Sequence, residues 1–198
     1  MKNDDAEFVS IVRADSCTAE SHCVQIGSIC IDGQEMVAWL SEQRDDPAWD
    51  EFLRSTSLGQ FQQSSLWARA KRLQGWKPIR VKVVLGNRIV GGFQMLWRKA
   101  RFWRIGFISR GPVAHPEHPL LSEFLVDVLR TAAKAGKLSA VMVQPPDLSN
   151  IMPAKLPRDR FLPNVLRHVI ESTLVMDITG TLETIDKRIS KYTRTTLR

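Results

Sequence analysis

The chain has 198 residues, which is the length of one ordinary domain or slightly more. Its 43% hydrophobic and 25% charged residues are typical of a globular protein, and no apolar run approaches the roughly 18 residues of a membrane-spanning helix. The formal net charge of +7 favours anionic partners without indicating a fold, and residues 1–7 lack the apolar segment of a secretory signal.

Residues 1–34 show little hydrophobic periodicity and are rich in Asp, Ser, Cys and Gly. They are predicted to form a poorly structured leader, in which Ile26–Ile31 is the candidate for one short edge strand. The three cysteines, Cys17, Cys23 and Cys30, fit no disulfide framework and contain no C-x-x-C pair. The four histidines do not complete a ligand pattern with them, so the residues offer no pattern typical of a metal site.

Two short helices are predicted between residues 46 and 75. Asp46 is a good N-cap and Pro47 suits the first helical position, whereas the preceding Gln34–Gln43 is either helical or extended. The second helix spans about residues 64–74, and Gly75 stands where a left-handed residue often ends a helix. Its apolar stripe is predicted to consist of Leu66, Trp67, Ala70 and Leu73.

Three antiparallel strands follow. They are predicted at Ile79–Leu85, Arg88–Trp97 and Phe102–Ser109, joined by turns at Gly86–Asn87 and Arg98–Arg101. The first strand alternates apolar residues with Arg80 and Lys82, which predicts a half-buried strand whose cations face water. Within the second strand, Gly91 and Gly92 indicate a bulge or a close approach by another backbone or a ligand.

After these strands, helical and extended patterns alternate. The predicted elements are a helix at Pro119–Ala135, a strand at Leu138–Val143, a loop or broken helix at Asp147–Asn164, a strand at Val169–Ile178 and a helix starting near Leu182. The first of these has the strongest amphipathic signal, with a stripe of Leu121, Phe124, Leu125, Val128, Leu129 and Ala132. The last continues to residue 198 without a stop signal, so the chain is expected to be the N-terminal part of a longer protein.

Positive charge is concentrated in the stretch Phe52–Pro116. The stretch contains thirteen Lys and Arg residues and no Asp or Glu, which leaves fifteen basic against twenty-one acidic residues elsewhere. Four of the six tryptophans also lie in it. A field of one sign favours an anionic partner such as RNA, a pyrophosphate-bearing precursor or an anionic membrane surface, although a solvated basic face would give the same pattern.

The order of predicted elements indicates an α/β (α+β) fold with a mixed, mainly antiparallel sheet flanked by helices, as in the GNAT acyltransferases. Within it, several stretches in chain order resemble the FemABX family. They are Gln62–Trp67 followed by Lys71, Ile89–Gln94, Ile108–Val113, Val143–Pro146, and Met176–Ile178 leading into Ser190–Arg194. The resemblance covers roughly residues 46–198.

This resemblance implies two GNAT-like domains, of which this chain would hold residues 35–178 as the first and residues 179–198 as the start of the second. Members of the family transfer an amino acid from aminoacyl-tRNA to an amine of a peptidoglycan precursor peptide, without a metal or bound cofactor. The implied partners are aminoacyl-tRNA, a nucleotide- or lipid-linked muramyl peptide and the missing C-terminal half. The expected location is the cytoplasm, with peripheral contact at the anionic inner face of the membrane.

The resemblance also implies roles for individual residues. Lys71, four residues after Trp67, matches the lysine that contacts the precursor's phosphates, although a lysine lying over Trp67 is the structural alternative. Gln144 stands where some members carry an aspartate proposed as a base, which puts a base here in doubt and leaves Asp147 as a weak candidate. The candidates for substrate binding also include Trp67, Arg110, Gln144, Arg194 and Arg198, and those for tRNA or another anion are Arg98, Lys99, Arg101 and Arg104.

Two other functions fit parts of the sequence. An acyl-CoA-dependent GNAT N-acetyltransferase would need a glycine-rich loop that cradles pyrophosphate, and Arg110–His115 has one glycine and a proline there. The second alternative is an inactive truncated remnant that binds polyanions without turnover. A plain nucleic-acid-binding module is disfavoured, because no RNA-binding signature matches.

Overall fold

The computed structural model describes residues 23–118, 120–146, 161–162 and 180–188. Internal contacts divide the chain into two units, Met1–Pro163 and Asn164–Arg198. The first unit contains all the described strands, and the described part of the second contains one helix, α4 (Leu182–Arg188), which begins at the predicted position. The predicted leader from residue 1 to 22, the strand at Val169–Ile178 and the boundary at residue 179 lie outside the described residues.

One sheet organises the first unit. Its described strands are β1 (Cys23–Ile31), β2 (Gln34–Ser41), β3 (Lys77–Leu85), β4 (Arg88–Ala100), β5 (Trp103–Ser109), β6 (Val113–Ala114) and β7 (Ala140–Gln144). They are ordered β1-β2-β3-β4-β5-β7, and β6 pairs with β4. The neighbours from β1 to β5 are antiparallel, and β7 joins β5 in parallel after the helix α3. The predicted α/β fold with a mixed, mainly antiparallel sheet is therefore confirmed.

The first two strands correct the prediction that residues 23–34 belong to an unstructured leader. Cys23–Ile31 and Gln34–Ser41 form a hairpin at the edge of the sheet, and β2 pairs with β3. The register shifts between Gln25 and Gly27, which inserts Ile26 as an extra residue. Such a bulge interrupts the alternation of apolar and polar residues, so the sequence shows no clean strand pattern there.

Helices cover both faces of the sheet. They are α1 (Pro47–Ser55), α2 (Ser65–Arg72), which follows a short 3-10 helix at Phe61–Gln63, and α3 (Leu121–Ala135). Asp46 caps α1 and Ser64 caps α2, as predicted, through side-chain oxygens that accept from the amides of Trp49 and Trp67. All six residues of the predicted α3 stripe are buried. That stripe packs on β3 and β4 in the larger of two apolar clusters.

Gly91 and Gly92 lie where the two helical layers approach β4 from opposite faces. A Cβ on Gly91 would meet the Leu121 side chain of α3 at 2.6 Å, and one on Gly92 would lie 2.9 Å from the Trp49 ring of α1. The register of β3 against β4 also shifts beside them, and β6 pairs with both glycines. The predicted bulge and close approach are confirmed.

The predicted apolar stripe of α2 is wrong. Leu66 and Leu73 are exposed, and the buried residues of the helix are Ser65 and Ala68. The reason is that α2 packs on β3 through a polar interior, where a hydroxyl finds partners and a large apolar side chain would not. No helix in the described part of the chain is long and apolar enough to span a membrane.

Candidate functional site

The ends of β5 and β7 form the centre of the candidate site. These parallel strands pair from Ile105 with Ala140 to Ser109 with Gln144, and the chain then turns at Arg110, whose φ is 55°. The Gly111 amide donates to the Gln144 carbonyl oxygen at 3.0 Å, and the Ser109 hydroxyl donates to Gln144 Oε1 at 3.2 Å. The structure thus brings Arg110 and Gln144, two of the predicted substrate contacts, to one end of the sheet.

Gln63 holds β4 and β5 apart beside this point. The β4–β5 ladder runs from Ala100 with Trp103 to Leu96 with Phe107. Two pairs further along, the side-chain amide of the buried Gln63 takes the place of the ladder hydrogen bonds between β4 and β5. Its Oε1 accepts from the Gln94 amide at 2.6 Å, and its Nε2 donates to the carbonyl oxygens of Gln94 at 3.2 Å and Ser109 at 2.6 Å. The site therefore lies where the sheet opens, and a side chain from the segment before α2 sets the opening.

A buried cluster of charged side chains supports Gln63 on the face of the sheet that α1 and α2 cover. The Asp46 carboxylate lies 2.9 Å from Lys82 Nζ and 3.6 Å from Arg80 Nη1. Arg80 also donates to Gln94 Oε1 at 2.7 Å and to Ser65 Oγ at 3.1 Å. Burial lowers the pKa of the Arg80 guanidinium, and the nearby Asp46 carboxylate opposes that shift. The cluster ties the starts of α1 and α2 to the middle of β3 and β4.

Arg80 and Lys82 are a correction to the sequence analysis, which placed them in water. Arg80 is 0% exposed and Lys82 is 8% exposed, because α1 and α2 cover the face of the sheet opposite α3. Alternation along a strand shows which side chains share a face, but it does not show what covers that face. The available signal was Asp46, which belongs to the acidic group Asp45, Asp46, Asp50 and Glu51 that precedes the carboxylate-free stretch Phe52–Pro116.

Lys71 and Trp67 lie together on α2. Lys71 Nζ is 4.8 Å from the centre of the Trp67 ring and donates to Gln74 Oε1 at 3.1 Å. Phe61 contacts the edge of the same ring, with 5.3 Å between the ring centres. Lys71 is partly exposed, so its ammonium can meet an anion in solvent while its stem covers the indole.

An open cleft of about 420 Å³ lies at the start of β3 and the end of α2. Its lining consists of Glu42, Arg44, Arg72, Lys77, Pro78 and Trp97. Three of these six residues are cationic, and Lys77 lies 5.3 Å over the Trp97 ring. Such a combination of cations and an indole suits an anionic, ring-bearing ligand.

The four cations predicted to bind tRNA or another anion lie together on one hairpin. Arg98, Lys99, Arg101 and Arg104 belong to the segment Arg98–Arg104, named here the hairpin tip, where β4 turns into β5. The predicted β4 ended three residues too early, since the strand continues to Ala100. Arg98 stacks on Trp76 at 4.7 Å and Arg104 on Trp97 at 5.2 Å. Which anion the tip binds stays a prediction.

The remaining candidates, Asp147, Arg194 and Arg198, lie outside the described residues. Their roles therefore stay predictions. Within the described ranges, no group of three or more His, Cys, Asp or Glu side chains is placed to hold a metal ion.

The sheet order and the open end of β5 and β7 define a GNAT-like acyltransferase fold. The proteins to which the chain is similar are more specific. It is 32% identical over 102 residues to the lipid II:glycine glycyltransferase of Staphylococcus saprophyticus, an alignment that covers 50% of this chain and 25% of that protein. The enzyme of the same name from Staphylococcus aureus is 32% identical over 98 residues, which cover 48% of this chain and 23% of that one.

A solved structure points to the same family. The crystal structure of FemX superposes with a TM-score of 0.50 and 28% sequence identity, covering 56% of this chain and 29% of the FemX chain. No protein-family model matches the chain. The resemblance to the FemABX family is confirmed by these similarities, and the chain spans about a quarter of the length of the curated relatives it matches.

Proposed function

We propose that this chain is part of an acyltransferase that moves an aminoacyl group from aminoacyl-tRNA to an amine of a peptidoglycan precursor peptide. The observation that carries the proposal is the 32% identity over 102 residues to a lipid II:glycine glycyltransferase. The aligned relatives are named for transfer of glycine to lipid II, which supports a muramyl peptide as acceptor.

The acceptor peptide is proposed to lie at the open end of β5 and β7. Gln144 and Arg110 flank the opening that Gln63 maintains, so a peptide can meet both an amide and a cation there. Lys71 is proposed to contact the precursor's phosphates, for which a compact ammonium on a flexible stem is well suited. The cleft lined by Arg44, Arg72 and Lys77 offers further positive charge for a phosphate-bearing substrate.

Aminoacyl-tRNA is favoured over acyl-CoA as donor by the connection that follows β5. GNAT enzymes that use CoA bind pyrophosphate with backbone amides of a loop leading directly into a helix. In this chain, Arg110 is followed by a proline at 112, then by strand β6, and α3 begins only at Leu121. The Leu120 side chain makes no cap bond at that helix start. This connection supports a donor other than CoA.

The proposed reaction depends more on how the two substrates are positioned than on an acid or base among the described residues. The acceptor amine attacks the ester carbonyl carbon, the bond to the ribose oxygen breaks, and the proton lost by the amine goes to that oxygen. Gln144 cannot accept a proton, but its amide can hold a substrate carbonyl or amine in place. Holding an activated ester next to an amine supplies much of the acceleration in such transfers.

A thermal melt with three separate ligands tests the proposal. The ligands are a nucleotide-linked muramyl pentapeptide, bulk tRNA and acetyl-CoA, each added to the 198-residue chain. A ligand that binds only the folded state adds about 2.7 kcal/mol at one hundred times its dissociation constant. We expect the muramyl peptide or tRNA to raise the midpoint. A rise with acetyl-CoA alone would show an ordinary acetyltransferase instead.

Replacing Lys71 tests the proposed phosphate contact. We expect Lys71→Ala to weaken binding of the nucleotide-linked muramyl pentapeptide about tenfold, because one charge-assisted contact is lost. The melting midpoint should stay close to wild type, since the side chain contacts only a partly exposed ring and Gln74. Titration calorimetry measures the affinity. Arg69→Ala, on the same helix and ion-paired with Asp45, is the matched control.

A further inference from the structure

We propose that the hairpin tip, Arg98–Arg104, docks on an anionic lipid bilayer, with Phe102 and Trp103 at the interface and the surrounding cations against lipid phosphates. This surface does not depend on the donor or the acceptor of the proposed reaction. It follows from the shape of the hairpin, the exposure of its two aromatic rings and the charge around them.

The hairpin tip extends beyond its neighbours in the sheet. β3 pairs with β4 only as far as Trp97, and β7 pairs with β5 only from Ile105 onward. Between those points, Arg98–Ala100 and Trp103–Ile105 pair with each other. At its base, Arg104 exchanges hydrogen bonds with Ser139 and donates to the Gly136 carbonyl oxygen, so the part that projects beyond these contacts is Lys99–Trp103.

Two large aromatic residues stand at the apex. Phe102 is 79% exposed and Trp103 is 64% exposed. Exposed aromatic rings are unfavourable in water, and they prefer the boundary between headgroups and acyl chains of a bilayer. Two adjacent rings on a projecting turn have the geometry of such an interfacial anchor.

The charge around the rings complements anionic lipid. Arg98, Lys99, Arg101 and Arg104 are all exposed, and the segment contains no carboxylate. The Arg101 guanidinium lies 5.0 Å from the centre of the Phe102 ring, so cation and ring enter the same layer. Each cation near an anionic surface adds to binding, and the combination of buried rings with basic residues is typical of peripheral membrane attachment.

An RNA partner fits the tip less well. A duplex would be bound through its phosphates, which leaves both apex rings without a partner. An unpaired base could stack only on the ring faces that remain open, and Arg101 covers one face of Phe102. A bilayer interface takes up the rings and the cations together.

Co-sedimentation with vesicles tests the docking surface. The full chain is mixed with vesicles of phosphatidylglycerol and phosphatidylethanolamine, and separately with phosphatidylcholine vesicles. We expect binding to the anionic vesicles that falls with added salt. Phe102→Ala/Trp103→Ala should lower the partition coefficient about tenfold, and Lys99→Ala/Arg101→Ala about thirtyfold.

Matched variants separate the tip from general effects. Phe61→Ala/Leu73→Ala removes two other exposed apolar residues, and Arg54→Ala/Arg130→Ala removes two cations from α1 and α3. Both should bind vesicles like wild type. Equal losses in these controls, or absence of binding to anionic vesicles, would overturn the proposal.

A fluorescence measurement identifies the inserted ring and distinguishes lipid from RNA. Brominated lipids should quench the wild type more than Trp103→Phe, because that variant lacks only the indole at the apex. Bulk tRNA should bind the Phe102→Ala/Trp103→Ala variant as well as it binds wild type. If the tip variants instead lose tRNA binding and keep vesicle binding, the tip is an RNA surface.

Discussion

Asp46→Asn should lower the free energy of unfolding by about 3–5 kcal/mol. The substitution keeps the shape of the side chain and the oxygen that caps α1, but it removes the carboxylate that lies within 4 Å of both Arg80 and Lys82. An uncompensated buried charge is among the most destabilising changes in a protein. Urea unfolding followed by circular dichroism measures the loss.

Asp45→Asn is the matched control for this result. Asp45 is the preceding residue and pairs with Arg69, but both side chains are at least half exposed. Its loss should cost less than about 1 kcal/mol. Adding Lys82→Met to Asp46→Asn should recover part of the lost stability, since it removes one of the unbalanced cations. Similar losses for Asp45→Asn and Asp46→Asn would contradict the role of the buried cluster.

Gln63→Ala should cost about 3 kcal/mol and disturb the candidate site. The substitution removes the amide that bonds the Gln94 amide and the carbonyl oxygens of Gln94 and Ser109. Each of these buried groups then lacks a hydrogen-bond partner. The loss of stability is about 1–3 kcal/mol for the group that is left least satisfied. If the opening between β4 and β5 matters, affinity for the muramyl pentapeptide falls as well, which calorimetry on the still-folded fraction would show.

Gln62 provides a matched control one residue away. Its side-chain oxygen has no hydrogen-bond partner among the described residues, so Gln62→Ala removes little. We expect a loss below about 1 kcal/mol and unchanged affinity for the muramyl peptide. A Gln63→Ala variant that is as stable as Gln62→Ala would show that the strands close the gap without the amide.

Local signals were sufficient for most of the fold. Asp46 with Pro47 starts α1, the turn at Gly86 joins β3 to β4, and the apolar stripe of α3 buries that helix. Each of these signals acts within a few residues, so the elements were predicted correctly. The motif around Gln144 lies at the end of β7, beside Ser109 and Arg110, and its role stays a prediction. The similarity to the FemABX family came from the short stretches that resemble it, because hydrophobic periodicity carries no information about family.

Two of the errors have a common physical origin, a contact between residues that are distant along the chain, whereas β1 was missed because of the local bulge at Ile26. Ser65 rather than Leu66 is buried because Arg80 and Asp46 form a polar interior under α2. Gln63 substitutes for a strand bond between Gln94 and Ser109, which lie 31 and 46 residues away along the chain. No local pattern encodes such partners, so the sequence alone could not place them.

The length of β5 sets the distance between the two proposed sites at its ends. The strand begins at Trp103, at the apex, and ends at Ser109, beside Gln144. Six residue steps of about 3.3 Å put about 20 Å along the strand between the proposed bilayer contact and the proposed acceptor site. A five-residue peptide spans at most about 17 Å. The strand would therefore favour a precursor whose sugar and phosphates add to the reach of its peptide, since five residues alone fall short of that separation.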